Sequence, residues 1–320
     1  MAANVGDLVA QAWQAKVGTK PEDNIGDEYS ELDRLVKGKA FKAITGGRSI
    51  IGSIEYALNS TVAAVTSTQT LSVNNEELFD EFEFQWKQYA GTVPMTTFEE
   101  AVNRGDNAKF DLEAAKLDNL EMSMKSTINS DIFGAASGNE MLGYQDLVPD
   151  SPSSGTVGTI NYGTYTFWRS QQTSGTKTTT AYDNLRSAMR TIRTACARGQ
   201  GVKYPTRYVT GSTTFNGYES LLIANERITS KENSQANASF KGDVYKFGSA
   251  DVFWDKDCAD TRMYALNNDN LMLAYQTDRW FKGYPAVDPA NQLLKVFKVE
   301  TMLQLISNNR RHLGVITSIS

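Results

Sequence analysis

Residues 82–106 read FEFQWKQYAGTVPMTTFEEAVNRGD, and the rhythm changes twice within them. Phe82, Phe84 and Trp86 alternate with Glu83, Gln85 and Lys87, the period-two pattern of a strand with one covered face. Gly91 and Pro94 then interrupt the run. Thr97 with Glu100 has the spacing of a capping box, in which a hydroxyl and a carboxylate satisfy the orphan N–H groups of a helix start. A charged ribbon that carries three large aromatic side chains raises the question of what covers them.

Downstream, the helix opened by Thr97 is interrupted at Gly105, and Asp106 is placed to cap a longer helix running to about Ile132, roughly 40 Å at 1.5 Å per residue. Phe110, Ala114, Leu117, Met124, Ile128 and Ile132 form one apolar stripe at helical spacing. Glu121 falls inside the stripe with Lys125 four residues on, so the helix lies across a surface and is not fully enclosed. Upstream, SIEYAL and STVAAVTSTQTLSV have the β-branched, Thr-rich composition of strands, and Glu76, Glu77, Asp80, Glu81 and Glu83 crowd the start of the ribbon.

Residues 1–49 read as an arm: Val5, Leu8, Val9, Ala12 and Trp13 suit a short amphipathic helix, followed by an acidic and then a basic patch. Residues 134–180 are Gly-, Ser- and Thr-rich around the aromatic island YGTYTFW and read as an insertion or linker with some strand content. Regular alternation resumes at Ala181: a helix to Gly199, strand RYVTG, a helix at TTFNGYESLLIAN, a polar loop, and strands VYKFGSADVFWD and RMYALNNDNLMLAY. The end of the chain resembles two long strands about an Asn308-Asn309 turn. The fold class is α+β.

Composition restricts the function. Of 320 residues, 40% are hydrophobic and 22% charged, ordinary for a globular chain, and the net charge of -5 argues against a protein devoted to gripping nucleic acid. No basic leader precedes an apolar core, and no run is long enough to cross a bilayer. Cys196 and Cys258 make no disulfide framework; the reading is synthesis in a reducing cytoplasm with both thiols buried. The single histidine, His312, has no nucleophile or carboxylate at a hydrolase spacing and reads as structural. Asp255, Asp257 and Asp260 lack the Gly and closing Glu of a calcium loop and read as an acidic turn. Phosphate-loop and dinucleotide fingerprints do not occur. No catalytic residue, cofactor or metal is assigned, and the chain reads as no enzyme.

Two acid-free basic stretches stand out. Arg34, Lys37, Lys39, Lys42 and Arg48 lie between Asp33 and Glu55, and Arg186, Arg190 and Arg193 follow one helical face within the stretch from Asn184 to Tyr218. Each suits a solvated face or, alternatively, a sequence-blind phosphate-facing surface.

The order of these segments resembles the major capsid proteins of tailed bacteriophages. The resemblance covers about residues 45–320 and is carried by EFEFQWKQYAGTV, leading through TTFEE to DNLEMSMKSTINSDIFG, and then by TFWRSQQ, YVTGSTTFNGYESL and VFWDKDCADTRMYALNNDNLMLAY. It implies an N-terminal arm (1–49), an extended β loop (50–95), a spine helix with peripheral domain (96–180), an axial domain (181–285) and C-terminal strands returning to the peripheral domain (286–320). It also implies an icosahedral shell of hexamers and pentamers enclosing double-stranded DNA, made in the host bacterial cytoplasm, with portal and scaffolding proteins, a candidate cementing protein and no membrane. On that reading Phe82, Phe84, Trp86 and Tyr89 bury against a neighbouring subunit, and one basic stretch faces the lumen. The alternatives are an encapsulin-like nanocompartment shell and a β-rich phage adhesin.

Overall fold

The computed structural model describes residues 30–70, 73–102, 112–175, 182–197, 203–225 and 244–319. The expected amphipathic helix near the N-terminus, the Asp106 cap, Phe110 and the polar loop at 230–239 lie outside the described residues.

A six-stranded sheet runs in the order β7 (Gln171–Ser174), β15 (Gly314–Thr317), β11 (Met263–Leu266), β8 (Arg207–Thr210), β10 (Ala250–Trp254) and β9 (Tyr245–Phe247). Its central strands β15, β11 and β8 are buried on both sides because both faces are covered. Tyr208, Val252, Met263 and Ile316 meet Leu185, Met189 and Ile192 of α5 (Tyr182–Cys196) and Phe215 of α6 (Ser212–Asn225). Their neighbours in the alternation, Val209, Phe253, Tyr264 and Val315, point into a second core. That core holds Leu32 and Leu35 of α1 (Ser30–Lys37), the end of α3 (Leu112–Phe133) and Leu147 of α4 (Tyr144–Leu147).

The second sheet has five strands, β1 (Phe41–Ile44), β12 (Leu271–Gln276), β14 (Leu294–Ser307), β13 (Lys282–Val287) and β4 (Lys87–Thr96). Strand β14 has 14 residues and pairs with β4 from Leu294–Thr96 to Leu303–Lys87. Its other edge pairs first with β13 and then with β12. Helix α3 is the expected spine: 22 residues laid along β4. Lys116 Nζ donates to the Pro94 carbonyl at 3.3 Å, Leu120 packs over Gly91, and Tyr89 donates to Asp131 at 2.5 Å. Along the stripe Ala114 and Leu117 are half-buried, whereas Met124, Ile128 and Ile132 are enclosed. Glu121 is exposed and pairs with Lys125 at 2.8 Å.

Four local expectations change. The capping box is one residue earlier: Thr96 N and Oγ1 both donate to the Glu99 carboxylate at 3.0 Å, and Glu99 N returns to Thr96 Oγ1 at 3.2 Å. Thr97 opens α2 (Thr97–Val102), but its N–H is taken by the Leu293 carbonyl, and Glu100 pairs with Lys295. Residues 30–44 are core, not arm, since Leu35 is fully buried and β1 pairs in parallel with β12. The described residues between Glu55 and Phe79 form no strand.

The C-terminal strands do not pair with each other. Strand β14 belongs to the five-stranded sheet and β15 to the six-stranded one, between β11 and β7. The connection is a 3₁₀ turn, Arg310–His312, capped by the Asn309 side chain. Arg310 is buried, donates from Nε to the Leu147 carbonyl at 2.8 Å, and stacks on Tyr162 at 4.4 Å. That anchor directs the chain into the other sheet.

Candidate assembly surfaces

The ribbon is a two-stranded hairpin of β2 (Ser49–Glu55) and β3 (Phe79–Gln85), in antiparallel register from Ser49–Gln85 to Glu55–Phe79. Alternation gives it two faces. Phe82 and Phe84 are 2% and 1% exposed and join Ile50 and Ile54 in the chain's own core. Phe82 stacks on Trp168 with ring centroids 5.4 Å apart, and Phe84 meets Phe82 edge-on. Gly52 lies opposite Phe82, and a Cβ there would sit 2.3 Å from the ring. Gly158, at φ +60, lets its backbone approach both aromatics while its carbonyl accepts from Glu83 N.

The expectation that Phe82 and Phe84 contact a neighbouring subunit is therefore corrected, because they have almost no surface left. Their cover is the segment read as a linker: β5 (Thr156–Val157), β6 (Ile160–Asn161), Tyr162 and Trp168. Trp86 is half-buried where the chain leaves the ribbon for the five-stranded sheet, and Tyr89 is half-buried with its hydroxyl between Asp131 and the Met141 N–H. Burial pushes the Tyr89 phenol up first, and the Asp131 contact adds to it.

The opposite face of the ribbon is open. Ile51 is 64% and Phe79 66% exposed, alongside the exposed carboxylates of Glu55 and Glu81. Beyond the ribbon, Leu58, Val62 and Val73 are at least 83% exposed. The sequence carried the signal for this face in the parity of the alternation, since Phe79 is odd where Phe82 and Phe84 are even.

A second open surface is the face of the five-stranded sheet turned away from α3. Gly91 and Tyr89 point toward the helix, so Gln88, Ala90, Thr92 and Pro94 point away. Beside them in register are Val296, Lys298, Glu300 and Tyr284. Glu300 accepts from Tyr284, Arg279 and Gln88, and the Tyr284 hydrogen bond holds its carboxyl below the usual range. Lys282 and Lys298 are exposed on this side.

The basic stretches are not one surface. Arg34 on α1 lies 4.1 Å from the centre of Phe253 and 3.9 Å from Asp251, on one face of the six-stranded sheet. Arg193 on α5 stacks on Tyr204 at 4.6 Å, on the opposite face; Arg190 is exposed and Arg186 half-buried. Lys37 pairs with Asp33 at 2.7 Å, and Lys39, Lys42 and Arg48 are exposed.

Residues suggestive of chemistry serve the fold. His312 is buried with Nδ1 3.0 Å from the Cys196 carbonyl, and burial lowers its pKa. Both cysteines are buried thiols. Asp255 accepts from Glu31 N and Asn129 Nδ2 at 2.9 Å, while Asp260 caps α6 through Thr213. Glu31 is fully enclosed, 2.7 Å from Arg207 and hydrogen-bonded by Tyr144; burial pushes its carboxyl up against the pull of Arg207. Sequence reasoning missed this knot, whose members are up to 224 residues apart. Among the described residues no cluster of His, Cys, Asp and Glu could hold a metal, and no helix is long and apolar enough to cross a membrane.

No protein-family model matches the chain, and no curated protein matches its sequence. Solved structures do match over nearly the full length. The cyanophage A-1(L) capsid subunit superposes with a TM-score of 0.69 at 17% identity, covering 96% of this chain and 97% of that one. The mycobacterium phage Bobi protein gives 0.61 at 9%, covering 98% of each chain. The SrpI encapsulin of Synechococcus elongatus gives 0.62 at 10%, covering 100% of this chain and 97% of that one. With its hairpin loop, spine helix along a long-stranded sheet and second, six-stranded sheet, the chain has the major capsid fold of tailed bacteriophages, which the encapsulin shares.

Proposed function

We propose that the protein is the structural subunit of an icosahedral phage shell, assembling as hexamers and pentamers around double-stranded DNA, with scaffolding and portal proteins as assembly partners. The observation that carries this reading is the two-faced ribbon. One face is fixed into the chain's own core, so the projecting loop is held in position. The other presents Ile51 and Phe79 amid acids, an unfavourable surface for a monomer and a suitable one for a contact between copies. The open side of the five-stranded sheet, with Lys282 and Lys298 among Val296, Tyr284 and Pro94, is complementary in charge and apolar content. A ribbon-to-sheet contact joins two different patches, which generates rings when the rotation closes.

Negative-stain microscopy of the expressed chain with its genomic neighbours tests this directly. Closed particles are expected for the wild type. Phe79→Glu should abolish them while leaving the unassembled chain folded; normal particles from that variant would refute the ribbon contact.

For the lumen, the exposed Lys39, Lys42 and Arg48 are better placed for weak, salt-dependent phosphate contacts than Lys37, which pairs with Asp33, or Arg193, whose guanidinium already lies on Tyr204. The encapsulin match over the whole chain supports a second reading, a nanocompartment shell with protein cargo. Nuclease-resistant DNA in purified particles favours the phage capsid; protein cargo without DNA favours the nanocompartment.

A further inference from the structure

Helix α3 does not close fully onto the five-stranded sheet. Between them is an open cleft of about 170 Å³, walled by Leu117 on the helix side and by Phe281, Phe297 and Val299 on the sheet side. Gly283 forms part of its floor, where an added Cβ would meet nothing within 4 Å. The space suits one aromatic ring, since an apolar cavity of roughly 150 Å³ accepts benzene. Tyr284 and Lys298, opposite one another in the β13–β14 register, border the cleft and also belong to the open face of the sheet.

The charges at the mouth are not equivalent. On the helix rim Glu121 pairs with Lys125 at 2.8 Å, and Asp118 is engaged within the chain. Lys125 also lies over the Phe281 ring at 5.8 Å. On the sheet rim Lys298 and Lys282 are exposed, and among the described residues neither pairs with a carboxylate; Lys282 only lies over the Tyr284 ring at 5.6 Å. The cleft is therefore an apolar slot with two available ammonium groups beside it.

The ribbon carries the complement. Phe79 is 66% exposed on the outer face, with Glu55 directly opposite it and Glu81 two residues on, both exposed on that same face. A ring between two carboxylates matches a slot beside two cations. The ring that fills the slot is not the chain's own. Phe82 and Phe84 fix the ribbon in the core of its own subunit and leave Phe79 in solvent, outside the cleft.

We infer that the cleft between α3 and β13–β14 receives Phe79 of a second copy, with Glu55 and Glu81 of that copy set against Lys282 and Lys298. The inference rests on the ribbon being the contact between copies, and it assigns the anchoring side chain and its socket. Burial of Phe79 against Phe281 and Phe297 makes the apolar centre of the contact, and the ion pairs form its rim. Knob and socket are different patches, and every copy presents both.

The experiment places the photo-crosslinker p-benzoylphenylalanine at position 79 and irradiates assembled particles. Crosslinked peptides should join position 79 of one chain to residues 117, 281–284 or 297–299 of another. Gly283→Leu, which fills the socket without displacing a neighbour, should lower particle yield roughly tenfold while the unassembled chain melts as wild type. Glu81→Lys should lower the yield as well. Adding Lys298→Glu to the same chain should restore it to within about twofold of wild type, because the reversed charges meet across the contact. Crosslinks confined to other segments, or to the same chain, overturn the inference. If Phe79→Glu abolishes particles while Gly283→Leu assembles normally, the ribbon contact stands and this socket for it falls. Normal particles from Phe79→Glu remove the ribbon contact and the socket together.

Discussion

Truncating the two faces of one ribbon separates what the chain needs in order to fold from what it needs in order to assemble. Phe82 is 2% exposed and stacked on Trp168. A buried phenylalanine removes roughly 150–200 Å² from water, worth about 4–5 kcal/mol at ~25 cal/mol per Å². The stacked pair adds about 0.5–1.5 kcal/mol, and partial collapse of the clasp around the gap returns some of the total. Phe82→Ala is therefore expected to destabilise the unassembled chain by about 3–5 kcal/mol. For a chain of this size the midpoint should fall by roughly 6–10 °C. Phe79 has two-thirds of its surface in water, so Phe79→Ala should cost under about 1 kcal/mol and shift melting by no more than ~2 °C. Urea denaturation of both variants, with matched m-values, is the assay. The reasoning fails if Phe82→Ala stays within 1 kcal/mol of wild type while Phe79→Ala loses as much or more.

Three further outcomes follow from the packing. Ile128→Asp, at a fully enclosed position on α3, should cost more than about 4 kcal/mol, whereas Leu117→Asp, beside the open cleft, should cost only about 1–2 kcal/mol in the same urea series. Arg310→Lys should lose about 2–3 kcal/mol in a melting comparison with wild type, because an ammonium cannot both reach the Leu147 carbonyl and stack on Tyr162 as the planar guanidinium does. The Glu300 carboxyl sits below its ordinary 4.5 in the folded chain, so its contribution is complete above that value and is lost as pH falls through the lower folded pKa. Glu300→Gln should flatten the acid side of a stability–pH curve slightly, by a small amount since solvent screens the site; an unchanged slope would count against the Tyr284–Arg279–Glu300 cluster.

The sequence by itself determined the local elements. The strand alternation at Phe82 and Phe84, the helical stripe at Leu117, Met124, Ile128 and Ile132, and the Glu121–Lys125 pair depend on neighbours within a few residues, so periodicity suffices to read them. Even the misplaced helix cap was wrong by one residue only, because Thr96 and Thr97 offer the same chemistry and the Leu293 carbonyl, nearly 200 residues away, decides between them. What alternation does not carry is the identity of the covering surface. It required that Phe82 and Phe84 be covered, and tertiary structure chose Trp168 and Tyr162 of the same chain over a neighbour, leaving Ile51 and Phe79 as the outward face. The same holds at the C-terminus. Strands β14 and β15 read as a hairpin until the Arg310 side chain, fastened to a carbonyl 163 residues away, sends them into different sheets. Contacts between residues this far apart are fixed by which buried surfaces and polar groups find one another in the folded chain, and no local pattern encodes that choice.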